Sequence, residues 1–403
     1  MRICYITETL ATGVGRHVVD LAEAMHARGH DVHVVYSPLR CDQSCLERLK
    51  AISGVRTFSC SMARAPHPSD MVSAARLGAY LLRHGPFDIV HGHSSKGGAL
   101  ARILAPFTAT GCLYTPHAFV TLSPELPPAR RRIFKAVEWS LSHLTNRIIC
   151  VSSDEFRHAR ALGISLQRLA VVHNGINDED PATATRAELG VVDDMPLVVF
   201  AGRLEYQKGP DLLVRAAAQL AAQGVRMHTV LLGGGSQHGM VERLLKELGV
   251  EEHVSLLGHR DAAPWLAIGD VLAMPSRYEA FSYTLLEAAA RGLPIVCTDV
   301  GGARAVVRDH VNGFITPVDD VDSFAARLRV LVEDAKLRAE MGARAQGIAK
   351  QFSVERMSRS IEAIYSGRFG TMVQVEAALA GARRESPDRT APMSSPGLSG
   401  GSR

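Results

Sequence analysis

The sequence predicts an α/β protein of two doubly wound parallel-sheet units facing each other across a cleft. Three observations predict it. Short apolar strands alternate with amphipathic helical runs along most of the 403 residues, the pattern of parallel sheets covered on both faces. The alternation breaks into a polar, turn-rich stretch at residues 171–181 and then restarts with a strong strand. At roughly 150 residues per domain, the length fits two or three domains.

The first strand is Arg2–Thr7, followed by a Gly13-Val14-Gly15 turn and an amphipathic helix from Arg16 to Ala27. Gly29-His30 ends that helix and leads to a strand over Asp31–Tyr36. Asp88–His91 is a strand before Gly97-Gly98 and a helix to Leu104; strands Gly111–Thr115 and Arg147–Ser152 follow. Val171–Ile176 runs into Asn177-Asp178-Glu179-Asp180-Pro181, read as the linker because such clusters favour turns. Pro196–Ala201 opens the second unit, with a helix from Pro210 to Gln223. Strands are expected at Met227–Leu232, Val254–Leu257, Val271–Met274, Pro294–Thr298 and Gly313–Ile315. The resulting division is 1–175, 176–352, a helix within 353–370 (Val354–Tyr365) crossing back to the first unit, and a tail at 371–403. From Gly381 the tail is rich in Ser, Pro, Gly and Arg, too poor in apolar residues to offset the entropy of ordering.

A hydrophobic content of 46% against 21% charged residues excludes a wholly disordered chain, a fibrous repeat and a small disulfide scaffold. No apolar run reaches the roughly 18 residues of a membrane-spanning helix. The first residues enter a strand interrupted by Glu8, without the long apolar region of a secretory signal. The seven cysteines, Cys4, Cys41, Cys45, Cys60, Cys112, Cys150 and Cys297, are odd in number and form no C-x-x-C pair. They read as free thiols of a reducing cytosol. Cys41 and Cys45 with His30 or His33 match no standard zinc spacing. Residues 1–175 hold 20 Lys+Arg against 12 Asp+Glu, and residues 176–370 hold 21 against 26. That asymmetry suits an anionic partner for the first unit, or simple scatter between two domains. Nucleic acid is not that partner: the pI of 8.7 is mild and no recognition motif is present.

Several stretches carry chemistry. Glycines at Gly13 and Gly15 let backbone approach a ligand, and a helix N-terminus favours an anion. The fingerprint is incomplete, because Val18 stands where a third glycine belongs, and a simple tight turn also explains the pair. Gly202-Arg203 and Lys208-Gly209 place two cations between a strand end and a helix start, where they can grip a phosphate or remain a solvated basic turn. Glu279 and Glu287 flank a loop-to-helix passage containing Phe281, Ser282 and Tyr283, whose N–H groups are free at a helix start. A carboxylate in that loop can accept sugar hydroxyls and one in the first helical turn can hold a ribose diol; charge compensation at the helix start is the plain reading of Glu287. His17, His93 and His117 stand at strand ends as cleft contacts, a general base, or structural residues.

Taken together, these residues resemble the retaining family 4 glycosyltransferases, of GT-B fold with two Rossmann-like domains. The matching stretches are Gly13–His17, Asp88–Ser94, Thr115–Phe119, Val171–Ile176, Phe200–Leu204 with Lys208-Gly209, Gly233–Gly235, and Glu279–Glu287 continuing to Asp299–Gly302. They span nearly the whole chain to residue 365. The resemblance implies that Arg203 and Lys208 bind the donor diphosphate, that Glu279 contacts the donor sugar and that Glu287 holds the nucleotide ribose. It places Gly13 and Gly15 near the phosphate, His117 near the sugar, and the Gly258-His259-Arg260 turn near the base. His17 and His93 fall on the acceptor side, in the first domain. Ser282 departs from the glycine many relatives carry there, which bears on donor identity.

The implied reaction transfers a sugar with retention from a nucleotide-sugar, of which a UDP-sugar is the favoured kind, to a glycan or lipid-linked acceptor in surface-polysaccharide synthesis. Breaking the anomeric bond leaves negative charge on the diphosphate, which Arg203, Lys208 and the glycine-loop amides would stabilise. No carboxylate is an obvious nucleophile, so same-face attack is expected, with Glu279, His117, Arg203 and Lys208 as the catalytic set. The nucleotide-sugar is a co-substrate; no cofactor and no metal are expected, and Asp178-Glu179-Asp180 and Asp320-Val321-Asp322 read as polar turns. The segment 127–139, with Arg130, Arg131, Arg132, Lys135 and Trp139, begins an amphipathic helix suited to an anionic membrane surface at the inner leaflet, or to an ordinary basic surface. A sucrose-synthesis type of transferase and a non-catalytic sugar-nucleotide-binding partner of a synthase are the competing readings.

Overall fold

The computed structural model describes residues 1–63, 65–177, 184–189, 191–192 and 194–367. The expected linker residues Asp178, Glu179, Asp180 and Pro181, and the tail 371–403, lie outside the described residues.

The first layered unit contains strands β1 (Arg2–Thr7), β2 (Asp31–Tyr36), β3 (Arg56–Ser59), β4 (Phe87–His93), β5 (Ala109–Thr115), β6 (Arg147–Cys150) and β7 (Leu169–Val171). Its helices are α1 (Thr12–Ala27), α2 (Gln43–Ala51), α3 (Asp70–His84), α4 (Ser95–Thr108), α5 (Pro128–Ser142) and α6 (Ser153–Ala161). The strands pair in the order β3-β2-β1-β4-β5-β6-β7, all parallel. Ile3, Cys4, Tyr5 and Ile6 are all fully buried, because helices cover both faces of the sheet and no alternation is required.

The second unit holds β8 (Leu197–Ala201), β9 (His228–Leu232), β10 (Val254–Gly258), β11 (Val271–Met274), β12 (Ile295–Thr298) and β13 (Gly313–Thr316). Helices α7 (Pro210–Ala222), α8 (His238–Leu248), α9 (Ala263–Ile268), α10 (Tyr283–Ala290), α11 (Ala303–Val306), α12 (Val321–Glu333) and α13 (Ala335–Ala349) accompany them. The order β10-β9-β8-β11-β12-β13 is again parallel and winds as the first sheet does. In such sheets the winding reverses between the first strand and its later neighbour, opening a crevice at their carboxyl ends. Here those crevices lie between β1 and β4 and between β8 and β11.

The last described helix, α14 (Val354–Tyr365), packs on α1 of the first unit, with Met357, Ile361 and Ile364 in that unit's core. The return is tight. A Cβ on Gly175 would lie 2.3 Å from the Ser353 carbonyl oxygen, so only glycine fits there. Arg28 with Glu355 and His30 with Glu362 tie the helix down at its exposed edge.

Most of the expected strands and helices differ at an end by one to four residues, and two of the differences bear on the site. Helix α1 starts at Thr12, so Gly13 and Gly15 lie in its first turn and not in a loop before it. Strand β6 stops at Cys150 because Ser152 caps α6, its hydroxyl accepting from the Glu155 N–H. Asp320 likewise caps α12, its carboxylate accepting from the Ser323 N–H. The seven cysteines are free thiols. Among the described residues no helix is long and apolar enough to cross a membrane.

Candidate active site

Both crevices carry the residues singled out by sequence, and they face each other. In the second unit, Arg203 follows β8 and Lys208 ends a short 3₁₀ turn before α7. Gly209 holds that junction at φ 63°, against the Pro275 carbonyl, where a side chain would collide. Glu279 lies in the loop after β11. The Lys208 ammonium pairs with the Glu279 carboxylate, and the Ser276 hydroxyl donates to the same carboxylate at 3.1 Å. The Arg203 guanidinium is exposed and donates to the Gln207 amide oxygen at 3.0 Å, while Gln207 in turn donates to the Tyr278 carbonyl.

Glu287 sits one turn into α10 and meets the opposite unit. Arg16 of α1 pairs with it and lies 5.1 Å over the Tyr283 ring, and a Cβ on Gly13 would come within 3.0 Å of the same ring. Burial pushes the Glu287 carboxyl up, opposed by Arg16 and Arg291 and reinforced by Asp261. In the turn after β10, Gly258 ends the strand at φ 69° and Arg260 is exposed beyond it.

The N-terminal turn of α1 is partly engaged. The Thr12 N–H donates to the Asp42 carboxylate at 2.7 Å and the Gly15 N–H to the Ala11 carbonyl. Ser282 precedes α10 and its hydroxyl makes no capping bond, which leaves the first-turn N–H groups of that helix without a side-chain cap. The Phe281 ring stacks on His173 at 5.2 Å and belongs to the core, so the side chain is not presented to the cleft.

The three histidines converge from separate elements: His17 from α1, His93 from the end of β4, and His117 from the turn after β5. His93 Nδ1 lies 3.1 Å from His117 Nε2, and His17 Nδ1 lies 3.1 Å from the Asn174 side-chain oxygen. Burial lowers His17 to about 4 and the other two well below their ordinary value, so all three are neutral imidazoles. Their candidate ligand atoms fall within 4.8 Å of one another. Neutral imidazoles in this arrangement can accept or donate hydrogen bonds to hydroxyls, and their spacing is also one from which a metal ion could be held.

Four contributors were given no role by sequence: Arg16 and Asn174, though both lie in the matching stretches Gly13–His17 and Val171–Ile176, and Ser276 and Glu155, the latter with the Ser152-x-x-Glu155 capping spacing as its local signal. A cavity of about 200 Å³ opens between the units, walled by Glu279 and Asp299 on one side and by Asp154 and Glu155 on the other.

The chain matches the family described as Glycosyltransferase Family 4 over residues 11–180 and that described as Glycosyl transferases group 1 over residues 182–347. A D-inositol 3-phosphate glycosyltransferase of Xylanimonas cellulosilytica is 30% identical over 306 residues, covering 70% of this chain and 72% of its own length. The chain belongs to glycosyltransferase family 4. Among solved structures, this family 4 glycosyltransferase is similar to the sucrose-phosphate synthase of Thermosynechococcus elongatus, with a TM-score of 0.78 at 20% identity over 91% of this chain and 98% of that one. It is also similar to Anabaena Alr3699/HepE, solved with UDP and glucose, with a TM-score of 0.77 at 22% identity over 91% and 100% of the two chains. The two facing doubly wound units are the GT-B fold.

The helix expected at 127–139 is α5. It exposes Ile133, Val137 and Trp139 beside Arg130, Arg132 and Lys135. Arg131 turns back to the Ser123 and Pro124 carbonyls. Glu138, on the buried side, pairs with the fully buried Arg102 of α4.

Proposed function

We propose that this glycosyltransferase moves a sugar, with retention and without a metal, from a UDP-sugar to a glycan or lipid-linked acceptor in surface-polysaccharide synthesis. The observation that carries the reading is the gathering of Arg203, Lys208, Glu279 and Glu287 at the β8/β11 crevice, opposite the β1/β4 crevice with its three histidines. Arg203 and Lys208 take the diphosphate, Glu279 the donor sugar and Glu287 the ribose. The Gly15 N–H is already given to the Ala11 carbonyl, so of the two glycines it is Gly13, beside Tyr283 of the opposite unit, that is left to approach the phosphate. UDP, the nucleotide bound by the Anabaena neighbour, is the favoured base form.

In the reaction the anomeric C–O bond to the diphosphate breaks and a new C–O bond forms to the acceptor oxygen on the same face. The acceptor hydroxyl proton passes to the departing phosphate oxygen. Arg203 and Lys208 hold the charge that develops on that oxygen, the term that usually dominates such catalysis. Neutral His117 offers the sugar a hydrogen bond; His17 and His93 face the acceptor side. The exposed apolar and basic side chains of α5 fit attachment to an anionic leaflet that carries a lipid-linked acceptor.

Calorimetric titration with UDP, GDP and ADP tests the donor assignment, beside the double variant Arg203→Ala, Glu287→Ala. Saturable UDP binding, abolished in the variant, is the expected result. No binding of any nucleotide overturns the donor assignment; UDP binding without any transfer or donor hydrolysis favours the non-catalytic sugar-nucleotide-binding partner. For the membrane, flotation with phosphatidylglycerol vesicles should fail after Arg130→Glu, Arg132→Glu and Trp139→Ser; unchanged flotation ends that part of the reading.

A further inference from the structure

The turn after β5 carries backbone strain. His117 has φ 54° and Ala118 φ 93°, both in the left-handed region that side chains disfavour. Such residues are strained and persist only where their surroundings over-determine them. What over-determines this pair is a buried carboxylate. Glu155, the third residue of α6, accepts from the Ala118 N–H with Oε1 and from the Val151 N–H with Oε2, both at 2.8 Å, and the Phe119 N–H adds to its main-chain donors. In an ordinary capping box a glutamate here would reach back to the N-terminal cap of its own helix. This one reaches instead to Val151, the residue after β6, and to the strained turn, and its residue walls the cavity shared with Glu279.

We propose that Glu155 is a positioning residue for this site, its carboxylate holding the His117-Ala118 turn so that His117 meets the donor sugar; this rests on the donor reading above. Three main-chain N–H groups need acceptors, and an ionised carboxylate supplies them all. The protonated acid carries an O–H that has only donors to face. Desolvation raises the Glu155 carboxyl to about 7 despite those bonds. Around it, β5 and β6 present Tyr114 and Cys150, both held neutral by burial, and α6 itself presents Asp154 and His158. The second unit presents Arg277, Glu279 and Asp299, but Arg277 already sits between Asp211 and Asp319. Loss of the Glu155 charge near neutrality therefore loosens the turn.

The test follows the His117 ring signal by NMR and glycosyl transfer from UDP-glucose, in Glu155→Gln and in Glu155→Gln combined with Ala118→Gly. In the wild type, the His117 signal should shift with a midpoint near pH 7, and kcat should fall on the acid side of the same midpoint. Glu155→Gln should abolish that shift and lower kcat at least about tenfold, with UDP affinity within twofold of wild type. Ala118→Gly should restore most of the loss, because glycine adopts φ 93° without a Cβ penalty. A folded Glu155→Gln protein with an unchanged His117 signal overturns the proposal. So does a loss that Ala118→Gly does not rescue. If the wild type binds no nucleotide, the donor reading fails, while the His117 titration still decides what Glu155 does.

Discussion

The Lys208 ammonium rests on the Glu279 carboxylate, joining the loops that follow β8 and β11. The two groups neutralise each other until a ligand arrives. On the proposed donor reading, a diphosphate draws Lys208 away from that carboxylate, and part of its binding energy is spent on the exchange. Glu279→Gln should therefore tighten UDP binding by up to about tenfold, or about 1.4 kcal/mol. Transfer should fall at least about a hundredfold, the scale of a lost preorganised contact. Lys208→Ala should weaken both. Titration calorimetry and initial rates separate the two effects; an unchanged UDP affinity in Glu279→Gln would mean that the pair does not compete with the ligand.

Arg16 makes the matching exchange from the other side of the cleft. It pairs with Glu287, the carboxylate assigned to the ribose, with side-chain exposures of 27% and 19%. A partly solvated pair of this kind couples by about 1 kcal/mol or less. Arg16→Gln should then improve UDP affinity several-fold, whereas Glu287→Ala should lower it at least about tenfold. A double-mutant cycle on urea stability should return a coupling of that small size. Weaker UDP binding by Arg16→Gln would mark Arg16 as a ligand contact instead of a competitor.

How far these features could be read in advance depends on the range over which they act. Asp31–Tyr36, Val271–Met274 and Val354–Tyr365 match the structure residue for residue, because each is an apolar strand or amphipathic helix bounded by local breakers. Arg203 and Lys208 were legible as cations on a strand-to-helix turn. Strand β3 was not, since Arg56, Thr57 and Ser59 are exposed and its four residues lack an apolar pattern. The Arg16–Glu287 pair was out of reach, its partners being 271 residues apart in sequence. Glu155 announced only a helix cap; that its carboxylate spans to Ala118 depends on β5 and β6 lying side by side.

The start of α1 at Thr12 separates two glycines that look alike in sequence. A Cβ on Gly15 would lie 2.5 Å from the carbonyl carbon of Leu10 and 2.8 Å from its oxygen, backbone that cannot yield. Gly15→Ala should destabilise the protein by about 1–3 kcal/mol, the usual cost of overpacking. At Gly13 the nearest atom is a Tyr283 ring carbon of the opposite unit, at 3.0 Å. Gly13→Ala should leave urea stability within about 0.5 kcal/mol, as for a substitution outside the core, and act on UDP affinity. Equal losses of stability at both positions would contradict this division.

His17 gives the acid side of the stability curve a definite sign. Its imidazole is buried against Asn174 and titrates at about 4 in the folded protein, against an ordinary value near 6.5. Between those values the unfolded chain binds the proton and the folded one does not. The stability from this group is thus fully present above 6.5 and is lost as the pH falls towards 4. Glu155 runs the opposite way: its raised carboxyl contributes below its unfolded value and loses that contribution as the pH rises through about 7. The two overlap in the wild type, so the wild-type curve alone cannot separate them. His17→Gln can, because it removes one titration and leaves the other. Between pH 7.5 and pH 5 the variant should lose about 2 kcal/mol less stability than the wild type, the share of a full shift that falls in this window. Urea unfolding at the two pH values measures that difference directly. Equal losses in the two proteins would show that His17 is protonated in the folded state at pH 5, and with it that the cleft admits water to the imidazole cluster.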